Sequence, residues 1–148
     1  MRWVGLVGLA LALALGIDLA QRLLASDRVQ WQAWEATTTE LTPVGHTPGP
    51  AADQPRRLVR FTADWCPPCR AMEKSVFSRR DVADAIHARF RPVEVDLTAP
   101  TPRQASIAQR YGVATIPTLL VLDDRGRELG RLDAATDAET FLDWLNRH

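Results

Sequence analysis

Two cysteines separated by a pair of prolines, at the junction of a strand-like run and a helix-like one, constrain this chain more than any other feature. Residues 58–62, Leu-Val-Arg-Phe-Thr, read as a short strand. Trp65-Cys66-Pro67-Pro68-Cys69-Arg70 follows, and the pattern is helical from 67 to about 77. Proline suits the first helical position, where its missing N–H would have found no partner. Cys66 therefore falls at a helix N-terminus, where unpaired backbone N–H groups and the helix dipole favour an anion. A thiolate is such an anion and is the nucleophilic form of cysteine.

The chain has 148 residues and no other cysteine. A bridge across two intervening residues closes a tiny loop and removes little unfolded-state entropy, so a stabilising role explains the pair poorly. A zinc site would need further ligands, and His46, His87 and His148 are scattered without ligand spacing. No metal or cofactor is expected. With 18 basic and 18 acidic residues the formal net charge is zero, which excludes the clustered positive excess of a nucleic-acid binder. Reactivity is left as the best reason for the spacing.

The rest of the C-terminal part supports one compact domain. Residues 81–89 form a second helical stretch with Asp81 as its cap and Val82, Ala85, Ile86 and Phe90 as its apolar face. Residues 92–96 alternate like a strand, and 101–111 are helical with Gly112 as the stop. The continuous apolar run 118–122 suits a central strand, and the turn 123–126 sends 128–132 back beside it. Thr136 is expected to cap a last helix carrying Phe141, Leu142, Trp144 and Leu145. The order strand, helix, strand, helix, strand, strand, helix predicts an α/β fold: a mixed central sheet with helices on both faces.

Upstream, Arg2 precedes an uncharged run over residues 3–17, and Asp18 interrupts it. At about 1.5 Å per residue that run spans roughly 22 Å, short of a hydrocarbon core of ~30 Å. Including residues 18–24, with polar groups snorkelling, makes an N-terminal membrane helix feasible. Residues 1–24 are thus either an uncleaved signal anchor or a cleaved signal peptide. The A-x-A candidates at 10–12 and 12–14 sit inside the apolar run, which favours the anchor. Either way the remainder crosses the membrane, leaving Arg2 behind. Residues 25–55 are expected to be a juxtamembrane segment and linker: Trp31 and Trp34 lie either at the lipid interface or on the domain, and 36–55 is rich in Thr, Pro and Gly. The domain is expected over 56–148.

Glu73 lies four residues beyond Cys69 on the same helical face, so it is either the acceptor of the Cys69 proton or a solvated charge. The donors left for the Cys66 sulfur, after the two prolines, are the amides of Cys69 and Arg70. Arg70 adds positive charge and Asp64 opposes it. Cys66 is expected at the exposed end and Cys69 shielded one turn in. Thr115-Ile116-Pro117-Thr118 precedes the apolar strand, where Pro117 is either a cis-proline or an ordinary strand-start proline. A proline there leaves the Ile116 backbone available to an extended peptide. Trp65, Pro67 and Ile116 border the cysteines as candidate substrate-binding residues.

Taken together, residues 61–70 and the Thr-Ile-Pro-Thr segment resemble the thioredoxin-like superfamily over about residues 56–148. Ala63-Asp64-Trp65-Cys66, Glu73-Lys74, Val76-Phe77-Ser78 and Val82 are similar to the C-terminal thioredoxin-like domain of the DsbD family of thiol:disulfide interchange proteins. The resemblance implies that Cys66 attacks, Cys69 resolves, Pro117 is the cis-proline and Glu73 serves the cysteine protons. It also implies a departure: such domains usually carry a buried aspartate where this chain has Arg60, and an arginine is no base near neutrality. The expected function is a membrane-tethered periplasmic reductase of protein disulfides, a single-pass protein of the bacterial inner membrane or a soluble periplasmic one after cleavage. Its partners would be protein disulfides or dithiols and a membrane electron donor of the DsbD type, and the protein would be a monomer. A disulfide oxidant or isomerase, or a non-catalytic client-binding module, are the alternatives.

Overall fold

A computed structural model of the protein describes residues 28–34 and 55–148. The expected membrane segment at 1–24 lies outside those residues, as do residues 25–27 and 35–54 of the expected juxtamembrane segment and linker at 25–55. Among the described residues no helix is long and apolar enough to cross a membrane.

The elements in chain order are β1 (Gln32–Ala33), β2 (Arg56–Thr62), α1 (Pro67–Ser75), α2 (Arg80–Arg89), β3 (Phe90–Asp96), α3 (Pro102–Arg110), β4 (Thr118–Leu122), β5 (Glu128–Leu132) and α4 (Ala138–Asn146). They build one mixed sheet in the order β1-β3-β2-β4-β5. β3 runs parallel to both β1 and β2, whereas β2–β4 and β4–β5 are antiparallel. The parallel pair needs a crossover, which α1 and α2 supply, while β4 and β5 join through a tight turn whose Gly126 has φ +76°.

Side-chain alternation divides the core between the two faces. Leu58, Leu119 and Val121 point to the side of α1, α2 and α4, where they meet Met72, Ile86 and Phe141. Val59, Phe61, Leu120 and Leu122 point to the other side, where Ile107 of α3 and Trp34 cover them. All five β4 residues are buried, as expected for a central strand. Arg60 shares the parity of Leu58, so a guanidinium enters the α1 face at a position the pattern would give to an apolar residue.

Several local expectations shift. The cap of α2 is Arg79, not Asp81; Asp81 lies inside the first turn, where its carboxylate accepts from the Arg79 guanidinium at 2.9 and 2.6 Å. The cap of α4 is Asp137, not Thr136, because burial of Ala138, Phe141, Trp144 and Leu145 sets the phase of the first turn; Asp137 Oδ1 accepts the Thr140 N–H at 2.8 Å. Helix α1 stops at Ser75, and the amides of Val76 and Phe77 both return to the Met72 carbonyl. Thr101 and Gln104 form a reciprocal capping box on α3.

Trp31 and Trp34 pack on the domain. Trp34 is buried against the α3-side core, and Trp31 meets Phe77 edge-on at 5.1 Å. Val29 N–H donates to the Phe77 carbonyl, and β1 pairs Gln32 with Val93 and Ala33 with Glu94. Residues 28–34 thus form a strap along the β3 edge, ahead of the expected domain start.

Candidate active site

The strand β2 ends and α1 begins around the cysteines, as the spacing predicts. Cys66 is the N-cap of α1 in an extended conformation, and Pro67 and Pro68 open the helix. Cys66 and Cys69 are joined by a disulfide, with Cα atoms 5.3 Å apart. The Cys69 amide donates to the Cys66 sulfur at 3.2 Å. The Arg70 amide does not join it: it donates to the Cys66 carbonyl at 3.2 Å. One of the two expected donors therefore serves the sulfur and the other extends the helix ladder. The Arg70 side chain folds back to donate to the Asp64 carbonyl rather than facing the sulfur.

The expected exposure of Cys66 is not met in this disulfide form. Cys66 is 3% and Cys69 6% exposed, packed with Ala63 and covered by Leu97 and Ile116. Trp65 is instead the exposed group, at 62%. Its indole N–H reaches the Thr98 carbonyl at 3.4 Å, and the Thr98 hydroxyl accepts the Asp64 N–H at 2.8 Å, so the loop after β3 holds the cysteine turn in place.

Of the two possibilities for Pro117, the cis form is present: the Ile116–Pro117 bond is cis and Pro117 is buried. The Ile116 carbonyl lies 3.7 Å from the Cys66 sulfur. The Thr118 hydroxyl ties the loop down through the Thr115 carbonyl at 2.8 Å and Asp133 Oδ1 at 3.0 Å. Beside the disulfide, Trp65, Leu97, Val113 and Ile116 line a largely apolar groove of about 180 Å³. Pro67 is exposed at the helix start and does not line that groove.

On the opposite side Cys69 borders a pocket of about 200 Å³ lined by charged groups, with Arg60, Glu73 and Glu94 among them. Arg60 Nη1 donates to Glu73 Oε2 at 2.5 Å, and Arg60 Nε donates to Glu94 Oε2 at 3.1 Å, with Nη2 on the same oxygen. Arg60 and Glu94 are register partners across β2 and β3. Glu73 is therefore an ion-paired group at the pocket, not a free solvated charge. Glu94 escapes a reading of the sequence because only the sheet register brings it here; the visible signal is a charge inside the otherwise apolar 92–95 run. Among the described residues no three His, Cys, Asp or Glu side chains converge on a metal position.

The arrangement can hold two electrons' worth of oxidising capacity as a disulfide, stabilise a thiolate at Cys66 with a backbone donor, and present carboxylates near Cys69. The chain is also similar to known proteins in sequence and fold. Thiol:disulfide interchange protein DsbD of Klebsiella pneumoniae is 30% identical over 152 residues, covering 97% of this chain and 25% of that protein. DsbD of Actinobacillus pleuropneumoniae is 32% identical over 92 residues, covering 61% of this chain and 16% of that protein. The chain thus spans a quarter or less of these curated relatives. The crystal structure of the oxidised C-terminal domain of Neisseria meningitidis DsbD superposes with a TM-score of 0.56 at 26% identity, over 63% of this chain and 79% of that one. A family model described as a thioredoxin-like domain matches residues 50–148, and the chain belongs to that thioredoxin-like family.

Proposed function

We propose that the protein is a thiol–disulfide oxidoreductase that reduces disulfides in exported proteins, with Cys66 as the attacking and Cys69 as the resolving cysteine. The observation that carries this reading is the Cys69 amide at 3.2 Å from the Cys66 sulfur, at the start of a helix and beside the Ile116 carbonyl. That donor stabilises negative charge on Cys66, as the thiolate that attacks a client disulfide or as the leaving group when the second thiol of an electron donor resolves the donor's mixed disulfide with Cys66.

In the reduced protein the Cys66 thiolate attacks one sulfur of a client disulfide. A mixed disulfide forms and one client thiolate leaves. Glu73 takes the Cys69 proton, directly or through water in the pocket, and the Cys69 thiolate attacks the Cys66 sulfur. The second client thiolate leaves and is protonated, so the client gains two electrons and the protein retains the Cys66–Cys69 disulfide. The Trp65–Ile116 groove receives the client chain, with the Ile116 backbone as its strand-like contact and Pro67 at its edge. A membrane dithiol donor of the DsbD type restores the reduced state. Residues 1–24 tether the domain to the bacterial inner membrane on its periplasmic side, and residues 25–27 connect that tether to the strap at 28–34.

Equilibrating the full chain against glutathione and dithiothreitol buffers, alongside turnover of a protein disulfide, tests the direction. A potential near the thioredoxin value of about −270 mV supports a reductase, while one near about −120 mV makes the protein an oxidant. Undiminished turnover by Cys66→Ala would remove the assignment altogether. N-terminal sequencing of the exported protein distinguishes a retained anchor from a cleaved signal.

A further inference from the structure

The strap of residues 28–34 lies outside the part of the chain that matches the family model, 50–148, yet it reaches the redox site. The Trp31 ring lies 4.2 Å from the Arg60 guanidinium carbon, and the Phe77 ring is 5.1 Å away. Arg60 is 8% exposed, and its nitrogens are committed to Glu73 on α1 and Glu94 on β3. A guanidinium in that position is held by aromatic faces and by carboxylates, and the two kinds of contact act together. Ala33 pairs with Glu94, so the strap also borders the second carboxylate through the sheet.

We infer that Trp31 is a positioning residue: it holds Arg60 so that the guanidinium offsets the carboxylates facing Cys69. This rests on the dithiol reading of the site but does not require turnover to be tested. The charged groups at the pocket are Arg60 from β2, Asp64 from the cysteine loop, Arg70 and Glu73 from α1, and Glu94 and Asp96 from β3. Four are acidic and two basic, and Arg70 is turned toward the Asp64 carbonyl. Arg60 is therefore the cation that governs the local balance. If its hold loosens, the net negative potential at Cys69 grows and the thiol retains its proton to higher pH.

The test uses the reduced full chain and follows thiolate ultraviolet absorbance against pH, with urea unfolding measured in parallel. Trp31→Leu keeps apolar bulk but removes the π face; its thiolate curve is expected to move to higher pH, in the direction given by Arg60→Met. Trp31→Phe is expected to restore the wild-type curve. In the Arg60→Met background, Trp31→Leu should add no further displacement. A Trp31→Leu curve that coincides with wild type while its urea midpoint falls would reduce Trp31 to packing and overturn the inference. So would an equal displacement with and without Arg60. Because the readout is thiol ionisation, absence of reductase turnover in the wild type would refute the proposed activity and leave this measurement interpretable.

Discussion

The Cys69 amide nitrogen donates its hydrogen to the Cys66 sulfur 3.2 Å away, one turn into a helix whose first two residues are prolines. With Pro67 and Pro68 lacking N–H groups and the Arg70 amide donating to the Cys66 carbonyl, this single donor carries the stabilisation of a Cys66 thiolate together with the helix dipole. Cys66 in the reduced protein is predicted to ionise below the ordinary thiol value of about 8.5. Alkylation with iodoacetamide at graded pH, with the modified cysteine identified by mass spectrometry, checks it. Preferential labelling of Cys69 at neutral pH would reverse the assignment of the two roles.

Glu73 is half-exposed and anchored to Arg60, which keeps its carboxylate at the pocket that Cys69 borders. Glu73→Gln preserves the shape and removes the base. Proton-transfer groups contribute about 10²–10⁴-fold when no substitute is at hand. Water has access to this pocket, so about a tenfold loss of turnover is expected, with the mixed disulfide on Cys66 accumulating. Trapping that species in a single turnover by acid quench is the measurement. Equal slowing of its formation and its decay would place Glu73 outside the resolving step.

The parts of this site that were legible in the sequence are those set by short-range geometry. Strands β4 and β5 fall where the apolar run and the Asp123-Asp124-Arg125-Gly126 turn predict, because a buried strand and a glycine turn have local signatures. Cys66, Cys69 and Glu73 lie on one helical stretch, so spacing alone relates them. Glu94 is not legible, because only sheet register brings it to Arg60; Trp31 is legible only as far as two alternatives, the lipid interface or the domain, because a two-residue edge strand is what seats the strap. A pair as short as Gln32–Ala33 shows no alternation. The caps at Arg79 and Asp137 fall one or two residues before or after the expected Asp81 and Thr136 because tertiary packing of the apolar face, not the nearest Asp or Thr, sets where the first turn begins.

Arg60 couples the two carboxylates to the aromatic side of the core, and its removal is predicted to be felt in stability. Breaking a fully buried ion pair costs about 3–5 kcal/mol. Here Glu73 and Glu94 have side chains 44% and 28% exposed, so water can recover much of their solvation. Arg60→Ala is therefore expected to cost about 2 kcal/mol, part of it from the lost contact with Trp31 and Phe77. Arg60→Met, which refills the stem volume, is expected to recover roughly half of that. Urea titrations of the oxidised forms measure both. A methionine variant no better than alanine would mean that charge, not packing, dominates.

Asp123 makes the acid limb of stability predictable. In the β4–β5 turn its Oδ1 accepts the amides of Arg125 and Arg127 at 3.0 and 2.8 Å, and Oδ2 accepts from Arg127 Nε at 3.0 Å. Burial works to raise this carboxyl, but the Arg127 amide and guanidinium and the Arg125 amide outweigh it and hold it below its ordinary value of 3.8. Asp137 is lowered too, chiefly by the Thr140 amide and hydroxyl at the start of α4. A carboxyl depressed in the folded state stabilises the fold fully above its unfolded value, and the contribution is lost as pH falls through the folded value. The urea midpoint of the oxidised chain should accordingly decline between about pH 5 and pH 2. Asp123→Asn cannot titrate there. Its midpoint should be lower at pH 7, by about 1 kcal/mol in stability, and its decline on acidification shallower. A slope identical to wild type would show that the turn carboxylate contributes nothing to acid unfolding and that the loss arises elsewhere.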